Sequence, residues 1–193
     1  MKHKCSTTCG ACNRENYEQG DIDFLKSHAT KDSIFLDVGA HAGLYTVQLA
    51  PLVKQVIAVE PITDDVLYSN TAQFENVFIL KAAAWSEPAQ LGVEYRANGQ
   101  SFIAGDGSLP GIPLDIFRAK RLLFKIDVEG SAFHVLKGMR SLLITAKEIA
   151  GVIEVDPNHM TRFNSNPSQI APHLQGLVCV SDKHKNHHYK KGL

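Results

Sequence analysis

The chain has 193 residues, 44% of them hydrophobic, and its 20 lysines and arginines balance 20 aspartates and glutamates. That length suits one domain, and that apolar content excludes a disordered chain, which could not bury enough surface to offset chain entropy. Zero net charge argues against a protein whose main task is wrapping nucleic acid, and 14 glycines with 8 prolines are too few for a collagen-like or linker-rich chain.

Residues 1–30 form an N-terminal segment that opens Met1-Lys2-His3-Lys4-Cys5-Ser6, with no hydrophobic stretch behind its charges. No apolar run approaches the roughly 18 residues of a membrane span, so the expectation is a soluble, cytoplasmic protein without one. The body, residues 31–182, alternates apolar runs with helix-like stretches. Ile34 to Val38 is a strand ending at Gly39, and Leu44 to Leu52 a helix stopped near Pro51. Gln55 to Val59 is a second strand, followed by a helix with Thr63 as N-cap and Asp64 and Asp65 in its first turn, where the helix dipole favours them. Val77 to Leu80 is a third strand.

Leu91 to Tyr95 and Ser101 to Ile103 then flank Asn98-Gly99, a hairpin signal. Leu122 to Val128 is a buried strand, and Phe133, Leu136, Met139 and Leu143 recur at helical spacing. Gly151 to Val155 is a fifth strand, Pro167 to Leu174 a short helix and Leu177 to Val180 a sixth strand. Such alternation implies an α/β, three-layer, mostly parallel sheet, and in such sheets ligands bind beyond the C-terminal strand ends where strand order reverses.

Four of those ends carry carboxylates: Asp37, Glu60, Asp127 with Glu129, and Glu154 with Asp156. Buried strand ends do not gather acids without reason, because an unpaired charge there costs several kcal/mol. The turn Asp37-Val38-Gly39-Ala40-His41-Ala42-Gly43 is spaced G-x-x-x-G, not the G-x-G-x-x-G that seats a pyrophosphate. A cofactor with a cationic amino-acid end suits it better: Asp37 can attract an ammonium, Gly39 permits close backbone approach, and Glu60 can accept both hydroxyls of a ribose.

Here the chain resembles a family. Asp37 to Thr46, Val59-Glu60-Pro61, Pro113-Leu114-Asp115, Lys125-Ile126-Asp127-Val128-Glu129-Gly130 and Val135-Leu136-Lys137-Gly138 are similar to the FkbM family of S-adenosylmethionine-dependent methyltransferases. The resemblance runs from about Ile34 to Asp156 and implies a Rossmann-like class I methyltransferase fold. It implies that the turn from Asp37 to Gly43, with Gly39, Ala40 and His41, holds the methionine part of S-adenosylmethionine. Glu60 with Pro61 would hold the ribose, and Ala82 and Ala83 would flank adenine. His41 departs from the asparagine often found there. Tyr45 reads as a cofactor contact or a core aromatic.

Asp127 is the residue expected nearest the transferred methyl, as base or acceptor guide. Lys125 is either a catalytic partner or an ion-pair partner of Asp127, and Glu129 either functional or an acid at the start of the next helix. Glu154 could face the acceptor or pair with Lys125. Asp115 reads as a turn-and-cap residue. The activity implied is O-methyl transfer to a hydroxyl of a small molecule, sugar or glycan. The rivals are N-methyl transfer to an amine or peptide, and a cofactor-binding subunit without turnover. A nucleic acid acceptor ranks below these, since no Asn/Asp-Pro-Pro-Tyr motif is present.

Cys5, Cys9 and Cys12 have the spacing of an iron–sulfur motif, but only four residues precede Cys5. Uncoordinated thiols are the favoured reading, with a structural zinc completed by His3 or a C-terminal histidine as the alternative. Residues 183–193 hold four lysines and three histidines and no acid. They read as a basic tail or a short last strand, so the seventh strand usual in this fold is expected to be short or missing. Otherwise a partner subunit, as in a homo-oligomer, would close that sheet edge.

Overall fold

The computed structural model describes residues 17–63, 65–95, 101–182 and 185–193. Its elements, in chain order, begin with α1 (Gln19–His28), β1 (Ile34–Val38), α2 (Leu44–Leu49), β2 (Gln55–Val59), α3 (Asp65–Thr71) and β3 (Val77–Leu80). A β-rich insert follows: β4 (Ala83–Ala84), β5 (Ala89–Leu91), β6 (Val93–Tyr95), β7 (Ser101–Ile103) and β8 (Leu109–Ile112). The second half holds β9 (Arg121–Ile126), α4 (Ala132–Gly138), α5 (Arg140–Thr145), β10 (Glu148–Glu154), α6 (Pro157–Met160), β11 (Val178–Ser181) and β12 (Asn186–Lys191).

Seven strands form the main sheet in the order β11-β12-β10-β9-β1-β2-β3. β3, β2, β1, β9 and β10 run parallel, while β12 is antiparallel to both β10 and β11. Strand order reverses between β1 and β9, so the carboxyl ends of these two strands flank the natural binding crevice. Alternation along each strand feeds two cores. Phe35, Val56, Leu123 and Val152 pack against Ile22, Leu25, Tyr45 and Leu49 of α1 and α2. Leu36, Ile57, Phe124 and Ile153 pack against Val135, Leu136, Leu142 and Leu143 of α4 and α5.

Several expectations are corrected. The stretch read as one helix through Phe133 and Leu143 is two helices broken at Met139. Gly138 lies so close to the Trp85 backbone that a Cβ there would sit 1.9 Å from its carbonyl oxygen. Pro167–Gln169 and Ala171–Leu174 are two separate 3-10 turns rather than one helix. The seventh strand is neither missing nor short: β12 spans six residues, inserted between β10 and β11.

The sequence gives no hint of α1, which fixes that last strand. Asp21 accepts from Asn186 Nδ2 at 2.5 Å and pairs with His188 Nε2 at 2.6 Å, and Phe24 stacks on His188 with ring centroids 4.4 Å apart. The hairpin expected around Asn98-Gly99 pairs Val93–Tyr95 with Ser101–Ile103, its turn lying outside the described residues. No helix of the described residues is long and apolar enough to cross a membrane.

Candidate active site

Asp37, the fourth residue of β1, is 1% exposed. Thr46 Oγ1 of α2 donates to its Oδ2 at 2.6 Å, and its Oδ1 is buried with no hydrogen-bond partner among the described residues. Burial pushes this carboxyl up, against the pull of Lys125 and Thr46. The chain then turns sharply at Gly39, whose φ is +80° and where a Cβ would lie 1.8 Å from the Asp127 carbonyl oxygen. A glycine is required there to bring the ends of β1 and β9 together.

After Ala40, His41 takes the left-handed conformation at φ 50°, a region that asparagine and histidine tolerate better than most residues, and Gly43 does the same ahead of α2. The His41 N–H donates to Glu60 Oε2 at 2.8 Å and the Ile62 N–H to Glu60 Oε1 at 2.9 Å. Both oxygens of Glu60 are therefore oriented by backbone. Burial raises its pKa, while these two N–H groups pull it back.

At the neighbouring strand ends, Lys125 Nζ lies 3.0 Å from Asp127 Oδ2 and 4.8 Å from the centroid of the Tyr45 ring. Burial alone would depress the Lys125 ammonium, but Asp127, Glu18 and Asp37 outweigh it and hold it well above the ordinary lysine range. Lys125 is thus the counter-ion of Asp127 whatever else it does. Asp127 is in turn held below the usual carboxylate range: burial would raise it, but Lys125 and a hydrogen bond from Glu154 prevail.

Glu154 does not pair with Lys125 first. Its carboxyl meets that of Asp127, and burial together with the Asp127 charge pushes it up to about 8. The two carboxyls therefore titrate as a pair that shares one proton, with Asp127 drawn toward the ionised form and Glu154 toward the neutral one.

Glu129 differs from both expectations of regularity. The strand stops at Ile126, two residues short of the expected Val128, and Glu129 takes φ 52°. Nor does it serve the next helix, which begins at Ala132 with no acid in its first turn. Instead Glu129 Oε2 lies 3.2 Å from His159 Nδ1 and 3.8 Å from Arg162 Nη1. Asp115 accepts the Leu142 N–H at 2.8 Å and so caps α5.

Pro61 borders an open cleft of about 510 Å³ at the ends of β2 and β3, shared with Ile62, Lys81 and the insert residues Val93, Tyr95 and Leu109. Ala82 and Ala83 are buried where β3 passes into the insert. Tyr45 is buried, its hydroxyl pushed up by burial and then by Glu18 at the head of α1. Glu154, Asp156 and His159 bring side-chain ligand atoms within 4.8 Å of one another. Asp156, however, is already committed to Lys185 Nζ and to the Asn158 N–H, so the group reads as an ion-pair network. Cys5, Cys9 and Cys12 lie outside the described residues.

No protein-family model matches the chain, and no curated protein does. Solved structures do. N-methyltransferase NodS from Bradyrhizobium japonicum, in complex with S-adenosyl-L-homocysteine, matches with a TM-score of 0.55 at 10% identity over 91% of this chain and 86% of its own. A precorrin-6y C5,15-methyltransferase from Geobacter metallireducens gives 0.54 at 12% identity over 97% of this chain and 91% of its own. A dimethyladenosine transferase from Plasmodium falciparum gives 0.50 at 16% identity over 89% of this chain and 60% of its own. The fold is that of the class I methyltransferases.

In that methyltransferase fold, the residues singled out in the sequence converge: Asp37, Gly39, Lys125 and Asp127 meet at the switch point, with Glu60 on one side and Glu154 on the other. His159, Arg162 and Glu18 are additions that sequence reading missed. Asp156-Pro157 carried a usable signal for the first two. An N-cap acid followed by proline at N1 starts a helix, which puts His159 one turn above Asp156.

Proposed function

We propose that the protein is an S-adenosylmethionine-dependent methyltransferase acting on a hydroxyl of a small molecule, sugar or glycan, as its FkbM-like motifs suggest. The observation that carries this reading is the carboxyl pair Asp127–Glu154 beside Lys125, facing the glycine turn across the switch point. The donor site fits its ligand. Asp37 Oδ1 is a buried acceptor still lacking a donor, which the ammonium of the methionine part would supply. Ala40, His41 and Gly43 would follow that part along the turn, Tyr45 would line its floor, Glu60 would take the ribose hydroxyls, and Pro61, Ala82 and Ala83 would flank adenine.

The bound cofactor supplies an electrophilic methyl on a sulfonium. The chain's own contribution is alignment, worth several kcal/mol when good, and removal of the acceptor proton, worth roughly 100- to 10,000-fold. Asp127, kept ionised by Lys125, would serve as the base that takes the proton of the acceptor hydroxyl, while the cofactor would supply the methyl group that this oxygen receives. Glu154 and Glu129 shape the surrounding charge.

Calorimetry with S-adenosylmethionine and S-adenosylhomocysteine, followed by tritiated-methyl transfer to a panel of hydroxyl and amine acceptors, tests this. Binding of neither compound would sink it. The same carboxyl pair would also hold an ammonium, and methylation confined to the amine half of the panel would replace the O-methyl reading with the N-methyl one.

A further inference from the structure

Arg162 stands beside the Asp127–Gly130 turn with most of its hydrogen-bonding capacity unused, although its side chain is only 18% exposed. Its Nη1 donates to the Glu129 carbonyl at 3.3 Å and lies 3.8 Å from Glu129 Oε2, an oxygen that sits nearer to His159 Nδ1, at 3.2 Å. Its Cζ lies 4.7 Å from the centroid of the Phe102 ring on β7. Nε and Nη2 make no hydrogen bond among the described residues.

A guanidinium carries five N–H donors in one plane, and donors kept from water without a partner are costly. Nη1 is spent on the Glu129 carbonyl. What remains is the side-on edge of Nε and Nη2, whose two N–H bonds run parallel and match the two oxygens of a carboxylate.

The surrounding backbone fixes that edge. Arg162 belongs to the 3-10 turn Thr161–Phe163 that continues α6. Buried Ser165 closes this turn, giving its N–H at 3.2 Å and its hydroxyl at 3.0 Å to the Met160 carbonyl. Gly130, with φ +105°, lies so close to α6 that a Cβ would sit 2.3 Å from the His159 carbonyl oxygen, so α6 rests directly on the Asp127–Gly130 turn. Through the Glu129 carbonyl the guanidinium is thus tied to that turn two residues from Asp127, a length of chain that spans at most about 7 Å. The neighbouring acids have partners of their own: Asp127 has Lys125, Asp156 has Lys185, and Glu129 and Glu154 both face His159.

We propose that Arg162 is a specificity residue that holds a carboxylate of the acceptor, so that the hydroxyl to be methylated belongs to a hydroxy acid. The inference rests on the methyltransferase reading above and narrows its acceptor. The carboxylate takes the Nε and Nη2 N–H groups as a parallel pair, and the hydroxyl of the same molecule turns toward Asp127. A neutral alcohol of the same shape leaves both N–H groups unmet, which is how a polar site rejects an analogue that lacks one group.

The test titrates the full chain, saturated with S-adenosylhomocysteine, with lactate, glucuronate and para-hydroxybenzoate, each against its own methyl ester, by calorimetry. The ester keeps the shape of the acid and removes its charge. At least one acid should bind about 10- to 100-fold more tightly than its ester, the worth of a charge-assisted pair. In Arg162→Gln that ratio should fall to near one. Arg162→Lys keeps the charge but loses the side-on edge, and should recover only part of it. In tritiated-methyl transfer the same acid should show its advantage over the ester in KM rather than in kcat.

Acids and esters that bind alike, or a preference that survives in Arg162→Gln, would overturn the proposal. Should Arg162→Gln fail to fold, Arg162→Lys decides, and an undiminished ratio there is equally fatal. If the wild type takes up no S-adenosylhomocysteine, the methyltransferase reading falls and the acid-binding role with it. If it binds that compound and methylates neutral hydroxyls with no preference for any acid, only the role of Arg162 falls.

Discussion

Lys125 stands directly opposite Asp37 in the register of β1 with β9, and its ammonium is also the counter-ion of Asp127 two residues along its own chain. One buried cation thus serves two carboxylates of the site. Replacing it with methionine keeps the stem and removes the charge, leaving both acids without compensation. The expected loss is about 3 to 5 kcal/mol at pH 7, shrinking near pH 4 as the carboxyls protonate. Urea denaturation at the two pH values measures it, and a small, pH-independent loss would show that Lys125 is not the shared counter-ion.

Glu154 makes stability fall as pH rises. Its pKa is 4.5 when free and about 8 in the fold, first through burial and then through Asp127. Between those values the folded protein keeps a proton that the unfolded chain has released. The contribution is therefore whole below pH 4.5 and gone above 8. At about 1.4 kcal/mol per unit of pKa, the change amounts to a few kcal/mol. Glu154→Gln keeps a donor for Asp127 and cannot ionise. Its melting temperature should gain on the wild type steadily from pH 5 to pH 8, and parallel curves would refute the assignment.

Gly130 separates packing from chemistry. Gly130→Ala should cost roughly 1 to 3 kcal/mol, from strain at a positive φ and from displacement of α6. Affinity for S-adenosylhomocysteine should change little, because the added methyl meets His159 and Met160 rather than the glycine turn. Gly39→Ala, by contrast, pushes on the Asp127 carbonyl and should damage stability and binding together. Equal loss of binding in both variants would contradict this division.

How far the sequence was legible follows from where each residue finds its partners. Ile34–Val38 and Gln55–Val59 were readable to the residue, because each is a short, largely apolar run, interrupted only by Asp37 or led by Gln55, and cut off by Gly39 or by Glu60-Pro61. β10 begins three residues before the expected Gly151: the buried Ile149 and Ala150 belong to its apolar run, and Glu148, paired with Arg121 across the strands, adds one residue beyond it. β12 looked like a solvated tail because its histidines and lysines are satisfied at a distance: His188 by Asp21, and Lys191 Nζ by the carbonyls of Leu143 and Ile144 at 3.0 and 3.1 Å. α1 offers only Ile22 and Leu25 as buried anchors, too few to set a period. In the site, the carboxylates at the strand ends were visible as a pattern. The proton-sharing of Asp127 with Glu154 was not, because adjacency across a parallel sheet is set by register and leaves no mark in either segment.

Asp37 offers a change in which stability and binding should move in opposite directions. Its Oδ2 is satisfied by Thr46, but its Oδ1 is buried and lacks a donor among the described residues, and burial raises its pKa. In the free protein that oxygen is a cost, since a buried, unsatisfied polar atom loses its hydration and gains nothing. Asp37→Asn removes the charge and keeps an oxygen for Thr46, so the free protein should be at least as stable as the wild type. Lys125 remains neutralised through Asp127 and Glu18. With ligand present, the amide presents N–H groups where an ammonium needs an acceptor. A charge-assisted hydrogen bond is worth about 1.5 to 3 kcal/mol, which corresponds to roughly a 10- to 100-fold weaker affinity for S-adenosylhomocysteine. Thermal melting and calorimetry on the same preparation read the two effects. A variant that melts lower and binds as tightly as the wild type would mean that Asp37 is a structural acid and that the ammonium is held elsewhere.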